Sequence, residues 1–159
     1  MGNKNNIFQE LWYRLKKPWT ISFTLYFLFV IIIFGGLGVI LSLIYCTDNL
    51  KLNISFNLMT YSIALLVPAC ITILLQYFPK SQNKVSLVIL SVAVLVIEGF
   101  IIHWSYSGAI IASIIASILS TILAWVFWVI ANADEIYLND QSYDYKIKED
   151  IKEHAKNWN

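Results

Sequence analysis

Four long apolar runs constrain the fold of this chain more than any other feature. Between Trp19 and Asn132 only five residues are Asp, Glu, Lys or Arg. Each run reaches the length of about 20 residues that a helix needs to cross a bilayer. Because backbone polar groups in lipid must be satisfied within the spanning segment, each run is expected to be a helix. The runs are residues 21–45, 57–78, 85–104 and 108–131.

The composition agrees with this interpretation, since 58% of the residues are hydrophobic and only 13% are charged. Soluble domains carry about twice that share of charge. The sequence therefore predicts an all-α protein in three parts. A four-helix transmembrane bundle (residues 21–132) lies between an N-terminal segment (1–20) and a C-terminal tail (133–159).

The basic residues predict the orientation of the bundle. Cytoplasmic flanks of membrane helices are enriched in Lys and Arg. With four crossings, only Lys51 falls on the side opposite to the termini. The sequence therefore predicts that both termini are cytoplasmic. The ten basic residues on that side are Lys4, Arg14, Lys16, Lys17, Lys80, Lys84, Lys146, Lys148, Lys152 and Lys156.

The N-terminal segment carries apolar residues at helical spacing, with basic residues close by and Pro18 after them. This pattern is typical of a short helix that lies in the membrane interface, and a proline ends such a helix. An ordinary basic flank is the alternative. The apolar residues are Ile7, Phe8, Leu11, Trp12 and Leu15.

Glu98 is the only ionisable side chain well inside a predicted span. It lies about 21 Å along a helix from Lys84. Intramembrane acids tend to face a bundle interior or a watery cavity. We predict an intramembrane polar site of Glu98, Ser113 and Ser117, which would bind a proton or cation or line an oligomeric pore. The alternative is a protonated Glu98 that serves packing only. Hydroxyls expected at similar depth belong to Ser42, Ser62 and Ser113.

The fourth run repeats a four-residue unit, GAII-ASII-ASIL-STIL-AWVF, over residues 108–127. Small residues at every fourth position let helix backbones approach closely. We predict that the first stripe is a helix-packing or oligomer interface, and that two stripes allow one contact within the protomer and one in a homo-oligomer. The first stripe is Gly108, Ala112, Ala116, Ser120 and Ala124; the second is Ala109, Ser113, Ser117 and Thr121.

The tail contains apolar residues at helical spacing in an acidic context, with seven Asp or Glu residues against four Lys. An acidic tail is repelled by anionic lipid, whereas an amphipathic helix can dock on a protein groove. We predict a cytoplasmic tail helix that docks a cytosolic protein. A solvated tail is the alternative. The predicted docking residues are Tyr143, Tyr145, Ile147, Ile151 and Trp158.

The sequence lacks a nucleophile elbow, a phosphate loop and a metal-binding helix motif. Its two cysteines form no CxxC pair. We therefore predict a protein that is not an enzyme and uses no cofactor or metal. The acidic tail argues against direct binding of nucleic acid. The predicted partners are the lipid bilayer, further copies of the chain and a cytosolic protein.

Small multidrug-resistance transporters also have four short helices and one membrane carboxylate, but theirs lies in the first span and Glu98 in the third. In span count, inner tail and lack of catalytic residues, the chain instead resembles the small four-span membrane subunits of bacterial antiphage systems, such as that of the Kiwa system. The resemblance implies an oligomer in the bacterial inner membrane that recruits a cytosolic partner. We therefore expect a non-enzymatic membrane scaffold or sensor in phage defence. The alternative is an oligomeric pore or small transporter that uses Glu98 and the serines of the fourth span.

Overall fold

The computed structural model describes residues 7–45, 50–77, 84–107, 109–135, 138, 145–149 and 151–152. These residues form helices and turns, and none of them forms a strand. The all-helical prediction is thus confirmed over this part of the chain. The α-helices are α1 (Ile7–Lys16), α2 (Ile21–Tyr26), α3 (Leu37–Ile44), α4 (Leu50–Thr72), α5 (Lys84–Ser107) and α6 (Ile110–Ala131). Two π-helical segments, π1 (Phe27–Phe34) and π2 (Ile73–Tyr77), continue α2 and α4.

Three of the described helices are long and apolar enough to cross a membrane: Leu50–Leu75, Lys84–Trp104 and Ile110–Ala131. They correspond to the second, third and fourth predicted runs. The first run differs, because its helix Ile21–Phe34 meets this criterion only together with Ile7–Lys16, across a bend of 90°. The chain is therefore a helical protein with three candidate spans and one bent pair.

The first run breaks at Gly35 and Gly36 and continues as α3. A side chain on Gly35 would place its Cβ 2.5 Å from a ring carbon of Tyr61 on α4. The Tyr61 hydroxyl donates a hydrogen bond to the carbonyl of Ile31 in π1, and it accepts one from Trp125 Nε1 at 2.9 Å. The missing side chain of Gly35 thus lets α4 approach the first run at the point where that run changes its helical form.

The second predicted run begins earlier than the sequence suggested. Helix α4 begins at Leu50 rather than at residue 57, so residues 50–56, which precede the second predicted run, are helical. Residues 50–56 include polar side chains, which lower the mean hydropathy of this segment, so the apolar run was placed after them. Polar side chains do not interrupt the backbone hydrogen bonds of a helix, and α4 therefore begins before the apolar run does. Helix α4 also continues past Pro68 before it widens into π2 at Ile73.

Helix α6 lies at the centre of the packing, with its most extensive contact against α4 and further contacts against α5 and α1. Most members of both small-residue stripes are buried, whereas Ala109 is exposed. The buried members are Ala116, Ser120 and Ala124 of the first stripe, and Ser113, Ser117 and Thr121 of the second. Because α6 packs on α4 and α5 at once, both stripes make contacts within a single chain. Ala112 is half-buried, and Gly108 lies outside the described residues.

Aromatic rings hold the beginning of the first run against α6. Phe23 lies 5.7 Å from Trp128, and Tyr26 stacks on Trp128 with ring centroids 5.9 Å apart. Phe27 meets Trp125 edge to face at 6.1 Å. Such pairs add to the stabilisation that comes from burial alone. They place α2 and π1 beside the last two turns of α6.

Candidate functional site

Glu98 lies at the centre of the packed helices, with only 3% of its surface exposed. Its Oε1 is 2.7 Å from Ser62 Oγ on α4 and within hydrogen-bond distance of Ser120 Oγ on α6. The two serine oxygens are 2.5 Å apart. Glu98 Oε2 is buried and has no hydrogen-bond partner among the described residues. Three helices thus bring one carboxyl and two hydroxyls into a single contact, which we name the Glu98 cluster.

The predicted polar site is only partly assembled in this way. Ser62 was expected at the depth of Glu98 and contacts it, but Ser113 hydrogen-bonds to Ser55 and Ser117 to the carbonyl of Ile114 in its own helix. Ser42 accepts a hydrogen bond from Asn57 and lies elsewhere. The sequence analysis placed Ser120 on the packing stripe, whereas it is a direct partner of Glu98.

Counting residues from the turn between α5 and α6 could have identified Ser120 as a neighbour of Glu98. Glu98 is nine residues before the end of α5 at Ser107, and Ser120 is ten residues after the start of α6 at Ile110. Two antiparallel helices joined by a short turn match positions at equal distances from it. Depth estimated from Lys84, at the far end of α5, favoured Ser113 instead.

The surroundings of the Glu98 cluster are apolar. Buried Leu66, Val94 and Ala124 belong to the hydrophobic core that α4, α5 and α6 share. In the part of the chain that the structure describes, Glu98 forms no ion pair, and helix α6 contains no titratable side chain. The chemistry available to Glu98 is therefore that of hydrogen bonds and protons.

Two further hydroxyl contacts join α4 and α6, one at Ser113 near the start of α6 and one at Thr121 beside the Glu98 cluster. Ser55 Oγ lies 2.7 Å from Ser113 Oγ and 3.1 Å from the Ser113 carbonyl oxygen. Thr121 Oγ1 lies 3.4 Å from the carbonyl oxygen of Leu58 and donates at 2.8 Å to the carbonyl of Ser117. Buried polar groups are stable when they are paired in this way.

A second polar site, which the sequence analysis missed, lies at the end of α6. Arg14 on α1 is only 7% exposed. Its Nε donates to the carbonyl of Ile130 at 3.1 Å, and its Nη1 lies 2.5 Å from Oδ2 of Asp134. Lys17 Nζ lies 2.5 Å from the other carboxylate oxygen of Asp134. We name these contacts the Arg14 clamp.

Electrostatics favours the Arg14 clamp. Burial alone raises the pKa of Asp134. The hydrogen bonds from Lys17 and Arg14, together with the positive charges of both side chains, lower this pKa by more than burial raises it. The pKa of Asp134 therefore lies below the ordinary value of 3.8. A cation beside the last carbonyls of a helix also interacts favourably with the helix dipole. The signals in the sequence were an arginine on the apolar face of an amphipathic helix and an acid just beyond α6.

The structure gives a partial view of the predicted docking residues. Residues 145–149 and 151–152 are helical and exposed. Tyr145 and Ile151 expose 70% and 62% of their surface, and Ile147 exposes 39%. Tyr143 and Trp158 lie outside the described residues. The complete tail helix therefore stays a prediction.

Among the described residues, no three His, Cys, Asp or Glu side chains lie close enough to hold a metal ion. Two polar features distinguish the described part of the chain. One is a buried acid, Glu98, which contacts uncharged hydroxyl groups, and the other is the ion-paired Arg14 clamp at the end of α6. Comparison with protein-family models, curated proteins and solved structures gave no match.

Proposed function

We propose that this protein is a non-enzymatic membrane scaffold or sensor that docks a cytosolic effector through its C-terminal tail. In this proposal the chain crosses the membrane four times, the first run supplying the fourth crossing as a bent helix. The single observation that carries the proposal is the exposed apolar pair Ile147 and Ile151 on a helical stretch of the tail.

The Arg14 clamp supports a topology with both termini on one side. It joins α1, which precedes the first run, to Asp134, which follows the last one. Thr20 adds a hydrogen bond to the carbonyl of Leu138 at 3.0 Å. An even number of crossings requires this arrangement, and the basic residues favour the cytoplasm as the shared side.

Membership of a bacterial antiphage system, the inner membrane as location and assembly into a homo-oligomer belong to the same proposal. Their support is the architectural resemblance to the membrane subunit of the Kiwa system. Large apolar side chains on α6, among them Ile111, Ile115 and Leu119, are more than half exposed in the single chain. Such side chains suit lipid or a further copy of the bundle.

The test is a tail deletion with pull-down of cytosolic proteins from the native host. Deletion of residues 139–159 retains both Asp134 and Leu138, so the Arg14 clamp is preserved. We expect the shortened protein to insert and fold normally but to lose its cytosolic partner. Retention of the partner would contradict the docking proposal.

A finer variant combines Ile147→Asn with Ile151→Asn. The matched control, Lys148→Asn with Lys152→Asn, makes the same replacement at the same spacing on exposed polar positions. An apolar anchor typically accounts for more than 1 kcal/mol of binding. We expect at least about a fivefold loss of partner affinity for the isoleucine variant beyond that of the lysine variant, by the same principle. Equal losses would indicate that the isoleucines do not anchor the partner.

A second candidate function is an oligomeric pore or small transporter, and the Glu98 cluster is the observation that favours it. An acid inside a membrane protein is often part of an ion or proton pathway. Liposomes that contain only this protein would show proton or cation flux in this case, and Glu98→Gln would abolish it. Absence of flux alongside tail-dependent partner binding would favour the scaffold.

A further inference from the structure

We propose that the Glu98 cluster is a binding site for one proton, which the Glu98 carboxyl carries and donates into a chain of two serine hydroxyls. The site would serve either proposed function and rests on neither. The argument follows from the number of protons that the observed oxygen contacts require.

Four oxygen–oxygen contacts join the members of the cluster. Glu98 Oε1 contacts Ser62 Oγ and Ser120 Oγ, the two Oγ atoms contact each other, and Ser62 Oγ lies 2.8 Å from the carbonyl oxygen of Met59. Each hydroxyl supplies a single proton, and a carboxylate supplies none. An ionised Glu98 would therefore leave two of the four contacts without a hydrogen.

A neutral Glu98 supplies a third proton and produces an ordered chain. Glu98 Oε1 donates to Ser120 Oγ, Ser120 donates to Ser62 Oγ, and Ser62 donates to the Met59 carbonyl. Three of the four contacts then contain a hydrogen, and only the contact between Glu98 Oε1 and Ser62 Oγ, at 2.7 Å, lacks one. Every donor has an acceptor, and the chain ends on a backbone oxygen. Hydrogen bonds in such chains polarise and strengthen one another.

The position of Oε2 favours the same assignment. This oxygen is buried, and no group in the described part of the chain forms a hydrogen bond with it. As half of a carboxylate it would be a charged atom that has lost its hydration, whereas as the carbonyl of a neutral acid it is a far less costly atom to bury. The proton therefore belongs on Oε1, where acceptors exist.

Among the described side chains of the three helices that form the cluster, Glu98 is the titratable group that lies in it. Helix α6 has no titratable residue; α4 has Lys51, Tyr61 and Cys70; and α5 has Lys84, His103 and Tyr106 in addition to Glu98. Tyr61 is hydrogen-bonded to Ile31 and Trp125. None of these side chains, where the structure describes them, takes part in the hydrogen bonds of the Glu98 cluster, so we assign the proton to Glu98.

Infrared spectroscopy of the full-length protein in lipid tests the proposal, because a protonated carboxylic acid has a C=O band that carboxylates and amides lack. We expect this band at neutral pH in the wild type, with a shift in heavy water and loss in Glu98→Gln. Raising the pH should replace it with carboxylate bands. Ser120→Ala should move the band to higher frequency, since it removes the hydroxyl that accepts the Glu98 proton.

The matched control is Ser117→Ala, because Ser117 is equally buried on α6 but bonds within its own helix. It should leave the band unchanged. A second control, His103→Gln, should leave the pH dependence of the band unchanged. If Glu98→Gln does not fold, the contrast between Ser120→Ala and Ser117→Ala still decides the matter.

Two results would overturn the proposal. Carboxylate bands in place of the acid band at neutral pH would show that Glu98 is ionised. An acid band that heavy water does not shift would show that the proton does not exchange, which leaves Glu98 a packing residue.

Discussion

Among the described residues, two side chains of the Asp, Glu, Lys and Arg types are buried, Arg14 at 7% and Glu98 at 3% exposure, and their surroundings differ sharply. Arg14 meets a carboxylate and a helix-terminal carbonyl at the end of α6. Glu98 meets only hydroxyls in the middle of the bundle. A buried charge requires a partner whose interaction offsets the desolvation penalty. Near a helix end such a partner is within reach, whereas in the middle of the bundle a neutral acid avoids the need for one.

The largest effect is expected from placing a permanent charge at the central position. Glu98→Arg should destabilise the bundle by at least about 3 kcal/mol, the cost of a charged side chain at mid-membrane depth. The yield of monodisperse protein in size-exclusion chromatography measures this. Glu98→Met controls for bulk and should give far more folded protein. Equal yields would indicate that volume rather than charge determines the effect.

A smaller loss is expected at the Arg14 clamp. Asp134→Ala leaves Arg14 buried without its carboxylate and should cost about 2 kcal/mol, less than for a fully buried pair because Asp134 is partly exposed. Unfolding in denaturing detergent, followed by tryptophan fluorescence, is the measurement. Glu135→Ala removes the neighbouring acid and should change stability little. Equal destabilisation by the two variants would argue against the clamp.

Acid should weaken the same clamp by a still smaller amount. Because the pKa of Asp134 is lowered in the folded protein, its contribution is fully present above the ordinary value of 3.8 and is lost as the pH falls through the lowered pKa. The wild type should therefore lose more stability than Asp134→Asn below that pH. Parallel stability curves for the two proteins would show that Asp134 does not stabilise the fold through its charge.

The smallest effect is expected for Glu98→Gln. An amide has a carbonyl that can accept from Ser62 or Ser120, so stability should change by about 1 kcal/mol or less, the scale of one neutral hydrogen bond. Glu98→Leu should cost more, because it removes that acceptor. A large loss in Glu98→Gln would indicate a charged Glu98 and would remove the contrast with Arg14.

Hydropathy and periodicity predicted much of this fold. The three candidate spans lie where apolar runs were found, and the helix before Pro18 was expected from its amphipathic spacing. The break at Gly35 was not predicted, because it depends on Tyr61, which approaches from another helix. Spacing within one helix cannot reveal such a contact.

The candidate sites show the same limit. Burial of Glu98 followed from its position in an apolar run, but its partners depended on how α4, α5 and α6 rotate against one another. Arg14 was interpreted by its charge alone, as a topogenic residue. Its role became apparent only when the start of the chain was placed beside the end of α6.

The Arg14 clamp has a consequence for the order in which the protein is made. The partners of Arg14 at Ile130 and Asp134 lie 116 and 120 residues further along the chain. Helix α1 is therefore synthesised before the other described helices, but its binding site on α6 is completed only after all of them. Until then the membrane surface is the available cover for its apolar face. We expect docking of α1 to be the closing step of biogenesis, which makes the clamp a check that every preceding segment has been inserted.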